Sequence, residues 1–211
     1  MSAAPGRAGA LVAVVGPSGA GKDTLLAIAR DLVAGDDGIV FARRVVTRES
    51  SAAEDHDSMP AEVFEDAVRR GAFAFWWAAH GLKYGVPSRV DDALADGKAV
   101  VCNVSRAIVP HLRGRYASCQ VVLIDAPREI RMARIRARGR AADGDTAARV
   151  DRDATAGEPL AADLVIENVG DPRAGGHMLA RLLRTAAARS RAGISLPGIR
   201  ERPAVRALAP D

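Results

Sequence analysis

The sequence predicts an α/β domain of three layers, a parallel sheet covered by helices on both faces, and three observations carry that expectation. Short apolar runs at 11–15, 99–102, 120–124 and 164–166 have the length and continuity of strands buried on both sides. Segments of helical period lie between and after them, at 22–32, 106–113, 130–138 and 175–191. Strand and helix therefore alternate, which calls for crossover connections and a parallel sheet.

Taken in order, residues 11–15 end in glycine, and 22–32 follow with Leu25, Leu26, Ile28, Ala29 and Leu32 at helical spacing. Residues 39–42 and 45–46 read as extended, and the polar stretch 49–58 reads as a loop. Val63, Phe64, Ala67 and Val68 share one face of a helix over 61–70. Residues 73–78 and 82–84 are short strands about a turn at Gly81, and Ser88 with Asp91 three residues later resembles a capping box opening a helix to Leu94. A polar gap at 139–145 precedes a second charged helix through Asp153, and the stretch from Ala192, with three prolines and no periodicity, reads as a mobile tail.

Composition narrows the function classes. The chain has 211 residues, 48% apolar, enough for a true core. Its net charge of +4 is almost all arginine, since Lys22, Lys83 and Lys98 are the only lysines. Arginine excess suits nucleic acid, membrane surfaces or phosphorylated small molecules. Aromatics at 4%, mostly between 64 and 84, are too sparse for a base-stacking platform, so no nucleic-acid partner is expected. No run approaches the roughly 18 apolar residues of a membrane span. The apolar 8–15 stretch runs into Gly16-Pro17-Ser18-Gly19 without a small-x-small cleavage pattern, and Cys102 and Cys119 fit free thiols, so a cytoplasmic location is expected.

The sharpest motif is Gly16-Pro17-Ser18-Gly19-Ala20-Gly21-Lys22, set between a strand and a helix. Glycines there let successive N–H groups turn inward as an anion nest at a helix N-terminus, with Lys22 reaching the β- and γ-phosphates. This is a phosphate-binding P-loop, and it implies ATP with Mg²⁺. Asp23 stands where the usual pattern has Ser or Thr to ligate Mg²⁺; its carboxylate is the candidate metal ligand, and Thr24 can offer its hydroxyl to the α-phosphate. A degenerate, non-catalytic loop is the alternative that Asp23 leaves open. Asp125, ending an apolar strand, is a weaker candidate for Mg²⁺ and stays outside the predicted site.

Arginines supply the rest. Arg43, Arg44 and Arg48 crowd a strand end, as suits an acceptor that already carries phosphate. Five more fall within 131–140, followed by Arg149 and Arg152, a density expected of a lid over a triphosphate. Arg131 and Arg136 read as solvated, whereas Arg138 and Arg149 are the catalytic candidates and Arg140 a nucleotide-binding one. A phosphate acceptor, largely dianionic at neutral pH, needs no general base.

On these motifs the chain resembles the guanylate-kinase-like P-loop kinases over about 11–183, and more closely the ribose 1,5-bisphosphate phosphokinases of bacterial phosphonate breakdown. The stretches that carry the resemblance are 16–23, Arg44-Val-Val-Thr-Arg48 with Glu54-Asp-His56, Gly71-Ala-Phe73, Trp77-Ala-Ala-His80-Gly-Leu-Lys-Tyr84-Gly85 and Asn103-Val-Ser-Arg106. The Lys22-Asp23 pair is similar to what the second family carries. Phe75 occupies the position of a guanine-reading Glu, Asn103 and Ser105 that of an acidic pair, and His56 that of a Tyr. The resemblance implies ATP-dependent phosphorylation of ribose 1,5-bisphosphate to 5-phosphoribosyl 1-diphosphate (PRPP) in PRPP biosynthesis. It implies acceptor contacts from Arg44, Arg48, His56, His80, Tyr84, Ser105 and Arg106, and an adenine contact from Asn168. Trp76 and Trp77 are expected to pack. The implied layout is a kinase domain over 8–192, with an acceptor-binding insertion about 36–90 and an Arg-rich lid about 138–152, then a tail over 193–211. A nucleoside-monophosphate kinase and a non-catalytic nucleotide-binding scaffold are the competing readings, and oligomeric state is open, a homodimer included.

Overall fold

The computed structural model describes residues 9–48, 56–79, 81–138 and 160–194. Strand β1 (Ala10–Val15) is buried at every position, as a strand covered on both faces must be. It sits at the centre of a five-stranded parallel sheet. β7 (Ala99–Asn103) and then β2 (Ile39–Phe41) lie on one side; β8 (Cys119–Asp125) and β9 (Leu164–Glu167) lie on the other. The α/β fold class read from the sequence is the one observed.

Alternate side chains of this sheet feed two cores. Val12, Val14, Val101, Val122 and Ile124 face α1 (Lys22–Leu32) and α6 (Pro172–Arg191), meeting Leu25, Ala29, Leu179 and Leu183. Leu11, Ala13, Val15, Val100 and Val121 face α3 (Arg89–Ala95) and α4 (Val109–Arg115) through Val90, Leu94, Val109 and Leu112. That second core also takes Phe75, Trp77 and Val86 from a smaller sheet. The smaller sheet runs in the order β4 (His56–Ser58), β3 (Arg44–Val46), β6 (Leu82–Pro87), β5 (Phe73–Ala79). Its outer face holds a separate core in which Phe64 of α2 (Ala61–Arg69) stacks on Phe73 and meets Trp76 edge-on. Helix α5 (Arg128–Arg138) follows β8.

Four local expectations are corrected. Residues 56–58 were expected as loop and form β4, because pairing with β3 satisfies their backbone. Ser88 sits at the N-cap of α3 without a side-chain cap bond; Asp91 instead accepts from Arg115 at 2.6 Å and from the Tyr116 hydroxyl at 2.8 Å, tying α3 to α4. The helix expected at 106–113 begins as a 3₁₀ turn, Arg106–Ile108, before α4 takes over. Helix α6 starts earlier than expected, at Pro172, where the Asp171 carboxylate caps the Arg173 N–H. The segment 145–153 and the tail from 195 lie outside the described residues.

Helices α1 and α6 approach closely because α6 carries Gly175 and Gly176 at the contact. A Cβ on Gly176 would stand 2.3 Å from Ile28 Cγ2 and 2.8 Å from Ile28 Cβ. Replacing a helical glycine by alanine gains about 1 kcal/mol of propensity, while overpacking a tight contact costs about 1–3 kcal/mol. The clash with Ile28 Cβ cannot be relieved by a rotamer change, so packing wins. Gly176→Ala should lower the melting temperature by roughly 2–6 °C, measured by circular dichroism.

Candidate active site

The C-terminal ends of β1, β7, β8 and β9 converge on the loop between β1 and α1, where an open parallel sheet places its ligand crevice. Three glycines of this loop are each fixed by a different neighbour. Gly16, at φ +151°, leaves β1 so close to β8 that a Cβ would lie 2.0 Å from the Ile124 carbonyl oxygen. Gly19, at φ +80°, has the Arg131 carbonyl of α5 at 2.7 Å from the same construction, and Gly21, at φ +90°, has the Asn168 side-chain amide at 2.3 Å. Only glycine fits these positions.

Donors from the loop's own lysine and from two other elements hold its carbonyls. Lys22 Nζ donates to the carbonyls of Gly16 (2.6 Å) and Pro17 (3.0 Å). Asn168, buried after β9, donates through Nδ2 to the Ala20 carbonyl at 2.8 Å. Arg134 of α5 donates to the carbonyls of Ala20 (3.3 Å) and Asn168 (2.9 Å), with Gly19 O at 3.5 Å. With these carbonyls engaged outward and no side chain capping α1, the N-terminus of α1 presents the donor end of a helix to the crevice. Asp23 and Thr24 are exposed on the first turn of α1, and Asp23 Oδ1 accepts from Asn103 Nδ2 at 2.9 Å.

A cleft between α1 and the strand ends is lined by Asp23, Arg30, Phe41, Arg44 and Asn103. Arg30 lies over the Phe41 ring at 5.0 Å, and Arg44 faces the Tyr84 ring at 5.9 Å. Tyr84 in turn stacks on Trp77, 5.2 Å between centroids and 7° from parallel. The fold thus brings Asp23 of the P-loop segment together with Arg44 and Tyr84 of the expected acceptor set. Arg48 follows β3 and is half-buried. His56 is buried beside Arg44 in the small sheet, and its backbone carbonyl accepts from Arg43. Arg43 pairs with Asp57 at 2.9 Å on an exposed edge. The Ser105 hydroxyl accepts from Ala107 N at 3.3 Å, capping the 3₁₀ turn that Arg106 opens. Arg138 ends α5; His80, Arg140 and Arg149 lie outside the described residues.

Two expectations about α5 change. Arg131, expected in solvent, is 7% exposed and donates through Nε to the Ala126 carbonyl at 3.0 Å. Arg134, not singled out from the sequence, braces the P-loop. Positions 131, 134 and 135 fall on one helical face, and Ile135 is buried, so the period of α5 held the signal that its high charge concealed. Asn103 was read only as a departure from an acidic pattern, and its contact with Asp23 is new.

Neither cysteine offers a nucleophile. Burial pushes the thiols of Cys102 and Cys119 up to about 12, so both stay protonated at neutral pH. Phe75, 2% exposed, packs edge-on against Tyr116 at 6.1 Å and presents no acceptor atom. Among the described residues no helix is long and apolar enough to cross a membrane, and no three His, Cys, Asp or Glu side chains form a metal cluster.

Comparison with known proteins agrees with this geometry. No family model matches the chain. It is 51% identical over 180 residues to ribose 1,5-bisphosphate phosphokinase PhnN of Rhodopseudomonas palustris, covering 85% of this chain and 89% of that protein. The protein of the same name from Pseudofrankia inefficax is 45% identical over 181 residues, covering 85% and 93%. A solved guanylate kinase from Anaplasma phagocytophilum superposes with a TM-score of 0.59 at 20% identity, over 90% of this chain and 92% of that one, and shares the fold. By its residues and its relatives, this chain belongs to the ribose 1,5-bisphosphate phosphokinase family.

Proposed function

We propose that this chain transfers the γ-phosphoryl group of ATP to the anomeric phosphate of ribose 1,5-bisphosphate, giving PRPP and ADP in phosphonate breakdown. The observation that carries this reading is the cleft in which the P-loop segment meets Arg44, with Phe75 buried where a base reader would need a carboxylate. An oxygen of the anomeric phosphate attacks the γ-phosphorus, and the bond to the β–γ bridging oxygen breaks as ADP leaves. That acceptor oxygen already carries negative charge at neutral pH, so the chain supplies position and charge rather than a base.

The residues divide by role. Residues 16–24 bind the phosphates of ATP through the loop and the first turn of α1, and Lys22 follows the transferred group as a point charge. Asn168 and Arg134 keep the loop in shape, and Asn168 stands on the adenine side by family resemblance. Mg²⁺, for which the Asp23 carboxylate is a fitting hard-oxygen ligand, supplies charge neutralisation at the β- and γ-phosphate oxygens when bound. Arg44, Arg48, Tyr84, Ser105 and Arg106 take the sugar bisphosphate, with His80 beside them on sequence grounds. Arg138, Arg140 and Arg149 complete the neutralisation, an assignment that rests on their density in the sequence. A reducing, cytoplasmic setting suits an enzyme with two free thiols.

Four measurements test this reading. Lys22→Met should lower kcat at least about a hundredfold with an unchanged circular dichroism spectrum. Arg134→Ala, which takes donors from the loop carbonyls, should weaken ATP binding about tenfold while leaving the acceptor KM near its starting value, read by calorimetry and initial rates. For the acceptor, each hydrogen bond lost to a guanine edge costs about 1–3 kcal/mol, so two or three losses make GMP poorer in kcat/KM than ribose 1,5-bisphosphate by at least about thirtyfold, and by about a thousandfold at about 4 kcal/mol in all. Arg48→Ala should damage use of the bisphosphate far more than ATP binding. A higher kcat/KM for GMP would make the chain a nucleoside-monophosphate kinase, the reading that its guanylate-kinase fold favours.

A further inference from the structure

P-loop enzymes ordinarily hold Mg²⁺ between the hydroxyl that follows the P-loop lysine and an aspartate on a neighbouring strand. Asp23 fills the first position here, and the family resemblance puts Asn103 at the second. Asp23 follows Lys22, and β7, paired directly with β1 in the register Val14 to Asn103, ends on an amide. The two side chains touch: Asn103 Nδ2 donates to Asp23 Oδ1 at 2.9 Å across 80 residues of sequence. Asn103 is 9% exposed, Asp23 is exposed at the mouth of the crevice, and both line the cleft that Arg44 closes on the other side.

We infer that the metal-binding carboxylate has been transposed from β7 to α1, with Asp23 as the ligand and Asn103 as the positioning residue that fixes it. The inference rests on the reading of the chain as an ATP-dependent kinase and deepens it. An ionised carboxylate only accepts, so the Asn103 amide must present its N–H to Asp23, which leaves the amide oxygen as its own acceptor. Aspartate at both positions would set two carboxylates about 3 Å apart, and one would be forced toward its protonated form. A hydroxyl at 23 opposite Asn103 would leave the pair with no anionic oxygen. Each residue is therefore suited to the other and ill-suited to the other's usual partner. The next carboxylate, Asp125 at the end of β8, already accepts from its own neighbour, Ala126 N, at 2.8 Å. Among the described residues no cluster of three ligating side chains exists, which matches a cation held by one carboxylate and the phosphates of the nucleotide.

The test reads Mn²⁺ affinity by electron paramagnetic resonance in the presence of saturating ADP and no acceptor. Asp23→Asn keeps the volume of the side chain and removes its charge. It should weaken Mn²⁺ binding at least about tenfold, while metal-free ADP binds as tightly as before or more so. A carboxylate that only ties α1 to β7 through Asn103 would leave Mn²⁺ unaffected. Asp23→Ser should lose Mn²⁺ to a similar degree. Asn103→Asp alone should weaken metal-free ADP binding, since it adds negative charge beside the phosphates. The double variant Asp23→Ser with Asn103→Asp should return Mn²⁺ affinity to within about threefold of the starting protein, a non-additive recovery expected only of coupled residues. Unchanged Mn²⁺ affinity in Asp23→Asn, or a double variant no better than Asp23→Ser, overturns the proposal. A starting protein that fails to bind ADP would instead overturn the kinase reading beneath it, and a wrong acceptor would leave this measurement untouched.

Discussion

At Gly16 the chain leaves the central strand with its backbone pressed against the Ile124 carbonyl, and nothing larger than a hydrogen fits between β1 and β8 at that point. Much of the active site follows from that contact. It fixes where the P-loop starts relative to the sheet, and the approaches of Arg131 to Gly19 and of Asn168 to Gly21 fix where it goes next. Loop carbonyls engaged by Lys22, Arg134 and Asn168 leave the donor end of α1 turned to the crevice. The loop is thus a shape imposed by three surrounding elements, and its glycines are the places where those elements come too near for a side chain.

Much of this was readable from local pattern. Fully apolar runs of strand length gave the parallel sheet, and a glycine-rich turn ahead of Lys22 gave the phosphate site. What could not be read locally is held by pairs far apart in sequence. Arg134 reaches the loop across more than a hundred residues, and Asn103 meets Asp23 across 80. His56 looked like a loop residue because strand pairing with β3, not its own neighbours, makes it β4. Arg131 reads as solvated from its charge, although its place on the face of Ile135 points inward. Ser88 has the spacing of a capping box, but Arg115 and Tyr116 compete successfully for Asp91. Local signals thus placed the elements, and tertiary partners decided what individual polar side chains do.

The small sheet shows how packing can claim a position that faces the cleft side of the fold. Phe75 does not repel a purine; it has joined the main core against Tyr116, which Asp91 and Arg115 hold in turn. The hydrogen-bonding edge at that position is gone, and the β5 backbone is firmly anchored. Arg44 lines the cleft with Tyr84 beside it, so this wall of the cleft carries positive charge. The solved guanylate kinase shares the scaffold, which leaves acceptor choice to the side chains set upon it.

Trp76 and Trp77, the two tryptophans of the sequence, are adjacent on β5, which gives the molecule an optical asymmetry. Trp77 is buried face to face with Tyr84, while Trp76 lies against Phe64 in the separate core of the small sheet. Neither belongs to α1, α5 or α6, the helices around the nucleotide loop. Tryptophan fluorescence is therefore a built-in reporter of the small sheet and of the core it shares with the main one. A ligand arriving beside Tyr84 would change the surroundings of Trp77 directly, whereas one seated on the loop between β1 and α1 would be seen only to the extent that it moves the second sheet. The order in which the two substrates bind is accordingly open to observation in rapid-mixing experiments without any attached dye.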